Sequence, residues 1–111
     1  MTTPDELRDL DRQVAEALGW HLSNCGSWWE DKNYRTTFHV THYSPTTDAR
    51  QWAVLLEMMA PDVVLDCLYE KPVRWECAVA LGRSRDWPNY LGDTPGEAVV
   101  RAFLAWKGQE S

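Results

Sequence analysis

The chain has 111 residues, 44% of them hydrophobic and 25% charged, the profile of one soluble globular domain. Seventeen Asp and Glu against eleven Lys and Arg leave a net charge of −6. That balance excludes general coating of DNA or RNA, which needs a cationic surface to neutralise phosphates. Seven tryptophans are the departure from ordinary usage.

The first helix is announced by its caps. Thr3 is a good N-cap, Pro4 suits the first helical position and Glu6 completes a capping box. Leu7, Leu10, Val14, Ala17 and Leu18 then recur at three- and four-residue spacing, and Gly19 is placed to end the helix. Asp5, Asp9, Arg12 and Glu16 fall on the wet face.

Residues 20–35 mix Ser, Asn, Cys and Gly with Trp20 and Trp28-Trp29 and read as a long ordered loop. Thr36 to Tyr43 is β-branched and aromatic, a short strand. A second helix follows, capped by Ser44-Pro45 or by Thr46 or Thr47. Its stripe is Ala49, Trp52, Leu55, Leu56 and Met59, and it ends at Ala60-Pro61-Asp62.

Two strands come next, at about 63–69 and 73–82, joined at Glu70-Lys71-Pro72. In the latter, Val73, Trp75, Cys77, Val79 and Leu81 point one way; Arg74, Glu76, Ala78 and Ala80 point the other. One face is apolar and the other has small alanines, a pattern that helices on both faces of the sheet would explain. After a loop from Arg83 to Asp93, Thr94-Pro95-Gly96-Glu97 repeats the cap, proline and glutamate of helix one. Ala98, Val99, Ala102, Phe103 and Trp106 supply the last stripe, and Gly108 closes it. The expected class is α+β: one domain over 1–111, a small antiparallel sheet of two to four strands sandwiched by three helices, in the order α-(β)-α-β-β-α.

Cys25, Cys67 and Cys77 are odd in number and lack C-x-x-C or Cys/His metal spacing, which suits a reducing cytosol. The apolar runs are far shorter than the ~18–20 residues of a membrane span, and the acidic N-terminus is unlike a secretion signal. The expected location is therefore cytoplasmic, with no membrane partner.

Certain phrases carry a family resemblance: Asp5-Glu6-Leu7-Arg8 through Val14-Ala15-Glu16-Ala17-Leu18-Gly19-Trp20, then Tyr43-Ser44 before a Trp52-bearing helix. The last is Thr94-Pro95 opening a helix with Ala98, Arg101, Ala102 and Phe103. Together they resemble the phage ABA sandwich domain family across most of the chain. Pro45-Thr46-Thr47 and the early Gly96 depart from that pattern. The resemblance implies a small αβα protein of phage or prophage origin acting in the host bacterial cytoplasm. It transfers no catalytic residue.

No catalytic set emerges from the residues. Glu57, Asp62, Asp66, Glu70 and Glu76 are scattered over separate elements, with Asp66 expected on a strand face that a helix may cover. His39 and His42, three apart in a strand, should face opposite ways, and His21 has no acidic partner at a recognisable interval, so no metal or other cofactor is expected. Cys67 and Cys77 lie on apolar parity; Cys25 alone is placed for exposure.

Charge is uneven. Seven acids against Arg8 and Arg12 leave residues 1–31 at −5, while Lys71, Arg74, Arg83 and Arg85 against Glu76 leave residues 71–85 at +3. Arg83, Arg85, Trp87 and Tyr90, ahead of a helix N-terminus, form a candidate site for an anionic or nucleotide-like ligand. Trp28 and Trp29 are the candidate partner-binding residues, since adjacent residues of an extended segment cannot both point inward. The expected function is that of a non-enzymatic phage-type accessory protein. It would bind a host protein or a small anionic ligand, counter-defence being a special case, and exposed aromatics favour a homo-oligomer. The alternatives are a structural phage component and a small nucleotide or phosphate-ester enzyme using Arg83, Arg85 and Asp86.

Overall fold

The computed structural model describes residues 2–68, 74–81 and 87–108. Helix α1 spans Pro4–Ala17, and Thr3 caps it by accepting the Glu6 N–H at 3.2 Å. Its far end closes as a Schellman motif. Trp20 N–H bonds Ala15 O and Gly19 N–H bonds Glu16 O, both at 3.0 Å, with Gly19 at φ 85°. Val14 and Ala15 are fully buried, while Arg12 on the outer face pairs with Asp9 and Glu16.

The segment read as a loop is instead a small meander, β1 (His21–Leu22), β2 (Trp28–Glu30) and β3 (Thr36–His39), antiparallel in that order. Strands of two to four residues show too little alternation to be read from periodicity. The second turn is an Asp31 device: its Oδ1 accepts the N–H groups of Asn33 (2.8 Å) and Arg35 (3.0 Å), and Tyr34 takes φ 63°. Strand β3 stops at His39, short of the expected Tyr43, because His42 N–H turns back onto His39 O at 2.8 Å.

Helix α2 runs Ala49–Met59 and is capped by Asp48, not by Ser44, Thr46 or Thr47. The Asp48 carboxylate accepts from the N–H groups of Arg50 (2.9 Å) and Gln51 (3.4 Å). Residues 44–48 form a separate turn, closed by Asp48 N–H to Ser44 O at 2.8 Å, so the earlier cap candidates lie outside the helix.

The second sheet is β4 (Val63–Leu68), β5 (Arg74–Val79) and β6 (Asn89–Gly92), antiparallel in that order. Strand β6 falls where a loop was expected, since it is only four residues long, follows Pro88 and ends in Gly92, a turn-like composition. Opposed pairs such as Leu65↔Cys77↔Tyr90 put Val63, Leu65, Cys67, Trp75, Cys77, Val79 and Tyr90 on one face.

Helix α3 (Pro95–Gly108) covers that face and is packed on its other sides by α1 and α2. Ala98, Val99, Val100, Ala102 and Phe103 are all fully buried, a helix apolar on most of its circumference and used as the centre of the domain. Gly96 explains its own oddity: a Cβ there would lie 2.3 Å from the carbonyl oxygen of Thr46, so α3 and the turn before α2 meet backbone to backbone.

The expected class stands: α+β, three helices and small antiparallel sheets, here two of three strands, in the order α-β-β-β-α-β-β-β-α. One point of the covering differs from expectation. The face carrying Val64, Asp66, Ala78 and Leu91 looks outward, with Val64 54% and Leu91 44% exposed. Asp66 is accordingly exposed and not under a helix. The alanines are therefore no landing strip for a helix; α3 lies at the domain centre and α1 and α2 pack on it.

Candidate functional site

Tyr43 stands where three elements meet: the end of α1, strand β3 and the start of α2. Its ring meets Trp20 edge-on at 4.8 Å and Phe38 at 5.3 Å, and Trp20 and Phe38 are 6.1 Å apart. The Schellman close sets Trp20 there, alternation in β3 sets Phe38, and the turn after His39 brings Tyr43 back over both.

These three rings, with Leu18, Val54 and Leu55, wall a chamber of about 460 Å³. Asp48, Arg50 and Gln51 border it. The chamber is of ligand size and has the apolar wall with a few polar groups that small-molecule sites share. Two of the bordering groups are committed to structure. Asp48 caps α2, and Gln51 accepts the Ser44 N–H at 2.6 Å while donating to His42 O at 2.7 Å. Arg50 is exposed and makes no ion pair among the described residues.

A second cleft of about 700 Å³, also lined by Tyr43, opens between α1 and the β1–β2–β3 sheet. Arg8, Asp11 and Arg12 line it from α1, and Leu22, Trp29, Val40, Thr41 and Ser44 from the sheet and its exit. Asp11 is 8% exposed and burial pushes its carboxyl up to about 6, against the opposing effect of hydrogen bonds from Thr46 N–H (2.9 Å) and Thr46 Oγ1 (3.1 Å). Burial, with the Asp11 charge adding to it, drives the Tyr43 hydroxyl far above its ordinary value, so this phenol stays neutral.

The sequence-predicted residues are spread over different places. Arg83 and Arg85, like Asp86, lie outside the described residues. Trp87 is 40% exposed, and Tyr90 is half-buried on the α3 side of the second sheet, opposite Cys77. Trp28 and Trp29 divide as the alternation required: Trp29 is buried at 6% and Trp28 is exposed at 42%. Trp28 meets the His39 ring at 5.0 Å on the outer surface.

The histidines correct the strand argument. His39 and His42 were expected on opposite faces, yet their rings are 5.5 Å apart, because a turn and not a strand joins them. Thr41 N–H approaches His39 Nδ1 at 3.2 Å, and Thr41 Oγ1 lies 2.7 Å from the same nitrogen. His21 has an acidic neighbour after all, Glu30, with Nε2 to Oε1 at 3.3 Å across the β1–β2 pair. Among the described residues no three His, Cys, Asp or Glu gather around a metal position.

Cys77 is buried and its thiol is pushed up to about 11, whereas Cys25 is exposed and its thiol is lowered by hydrogen bonds from Ser23 and Ser27. The chamber itself escaped the sequence reading. Trp20 registers there as the first residue of a loop and Phe38 and Tyr43 as strand residues; their meeting depends on a turn with no sequence signature of its own.

The fold and site together define an α+β domain with an aromatic-walled chamber between its helical layer and a small meander. A crystal structure of a phage protein from Bacillus cereus shares this fold, with a TM-score of 0.71 over 96% of each chain at 13% sequence identity. No family model and no curated protein matches the chain. The likeness is one of fold. No helix among the described residues is long and apolar enough to cross a membrane.

Proposed function

We propose that this protein is a non-enzymatic, phage-type accessory protein that captures a small planar anion of nucleotide-like chemistry in the Trp20–Phe38–Tyr43 chamber. The carrying observation is the exposed Arg50 on the border of an aromatic-walled chamber, without an ion pair among the described residues. A flat heterocycle stacks on aromatic faces for roughly 1–3 kcal/mol per base. A guanidinium at the entrance fixes the phosphate or carboxylate that the ring carries. The one carboxylate among the described lining residues, Asp48, is committed to capping α2, which favours holding a ligand over turning it over. The fold shared with a phage protein supports the provenance.

Thermal shift with adenosine monophosphate and with uncharged adenosine tests this reading. The expected result is a midpoint raised by the nucleotide more than by the nucleoside, a difference lost in Arg50→Ala. No shift at millimolar nucleotide overturns the binding, and release of inorganic phosphate from the nucleotide overturns the non-enzymatic part.

Trp28 favours a second reading, a host protein as partner. With Tyr34, 76% exposed, it offers aromatic anchors on the outer face of the first sheet. The homo-oligomer expected from the sequence would draw on the same exposed aromatics or on the open face around Val64 and Leu91, and light scattering of Val64→Lys against the unaltered chain decides for or against that face.

A further inference from the structure

Tyr43 lines both cavities, the chamber of about 460 Å³ and the cleft of about 700 Å³. The cleft repeats the chemistry of the chamber. It has an aromatic and aliphatic lining in Trp29, Val40 and Leu22, and an arginine at its border, Arg8. Among the described residues Arg8 pairs with Asp5 at 3.8 Å, with the side chains 82% and 94% exposed, a contact too solvated to hold the guanidinium against a bound anion. Two partly apolar compartments, each bordered by an exposed arginine, therefore share one lining residue, Tyr43.

On the reading that the chamber holds a nucleotide-like anion, we infer that the ligand is bipartite. Two planar heterocycles are joined by a phosphate linker, one in the Trp20–Phe38 chamber and one in the Leu22–Val40 cleft, with the linker passing Tyr43 between Arg50 and Arg8. A single nucleotide fills the chamber and leaves the cleft empty. Joining the second ring makes its binding intramolecular, so affinity rises without any change in the first contact. The acids of α1 set the limit on this design: Asp9 and Glu16 hold Arg12, and Asp11 faces the cleft, so the anionic part of the ligand belongs at the Tyr43 boundary and not deep against α1.

The test is isothermal titration of adenosine monophosphate and of the adenosine dinucleotide pApA into the unaltered chain, Leu22→Glu and Phe38→Ala. Leu22 and Phe38 are exposed at 48% and 38%, so neither change removes a core residue, and far-ultraviolet circular dichroism checks the fold. The dinucleotide should bind the unaltered chain at least about tenfold more tightly than the mononucleotide. Leu22→Glu should abolish that advantage and leave the mononucleotide unchanged, while Phe38→Ala should weaken both. Equal affinities, or an advantage that survives Leu22→Glu, overturn the bipartite ligand and leave the chamber standing. Binding of neither probe to the unaltered chain overturns both.

Discussion

Asp11 on α1 accepts two hydrogen bonds from one residue, Thr46, through its backbone N–H at 2.9 Å and its hydroxyl at 3.1 Å. Thr46 is fully buried, and its carbonyl in turn accepts from Thr94 Oγ1 at 3.0 Å at the start of α3. One turn thus ties the three helices together and fixes the approach of the chain to the Asp48 cap, beside the chamber.

This arrangement makes stability depend on pH in an unusual direction. The Asp11 carboxyl is raised in the folded chain to about 6, so the folded state holds its proton more tightly than the unfolded state does. The contribution of Asp11 is therefore most favourable below its ordinary value of 3.8 and is lost as pH rises toward and through about 6. The loss is on the order of 2–3 kcal/mol. Asp11→Asn, which keeps an acceptor for the Thr46 N–H, should flatten this part of the profile. Urea midpoints at pH 4 and pH 7 for the two chains measure it; a mutant profile parallel to that of the unaltered chain would contradict the assignment.

Gly96 reverses an ordinary expectation. In a helix interior Gly→Ala adds up to about 1 kcal/mol of stability. Here the added carbon meets Thr46 O at 2.3 Å, a backbone atom that cannot swing aside. Gly96→Ala should destabilise by about 1–3 kcal/mol, the range for overpacked sites. Gly108→Ala, with nothing within 4 Å, should be near neutral. Chemical denaturation of both variants makes the comparison.

The two faces of the second sheet predict opposite sensitivities. Phe103 is fully buried on the helix that covers the inner face, so Phe103→Ala should cost about 3–5 kcal/mol. Val64→Thr on the outward face should stay within about 0.5 kcal/mol. A large loss at Val64 would mean that this face is covered in solution, and light scattering would then identify a second copy.

Thiol chemistry should separate the cysteines by environment. Cys25 is exposed, with a lowered thiol value, while Cys77 is buried and pushed up to about 11. Iodoacetamide on the folded protein at neutral pH should label Cys25 first and leave Cys77 intact until denaturant is added, as read by peptide mass spectrometry.

The parts of the fold that a sequence can announce are those with local chemistry. Thr3-Pro4 and Thr94-Pro95 state where helices begin, and the alternation of Trp75, Cys77 and Val79 states which sheet face is buried. What escaped depends on pairing at a distance. Strands β1, β2 and β6 are too short to show a period, and Asp48 caps α2 while Thr46, a cap candidate in the sequence, is held instead by Asp11. The candidate site follows the same division. Adjacency alone said that Trp28 and Trp29 could not both turn inward; that Trp29 is the buried one, and so no partner-binding residue, follows only from the pairing of β2. The chamber was not, since Trp20, Phe38 and Tyr43 come from three elements and meet through a turn between His39 and His42.

Tryptophan fluorescence titration with adenosine monophosphate, comparing the unaltered chain with Arg50→Ala and Phe38→Ala, addresses the chamber most directly because Trp20 is part of its wall. Saturable quenching that weakens at least about tenfold in each variant, as loss of a charge-assisted contact or a stacking face requires, is the predicted result. Quenching that is absent, or that is identical in all three chains, would contradict a ligand held between the Trp20 ring and the Arg50 guanidinium.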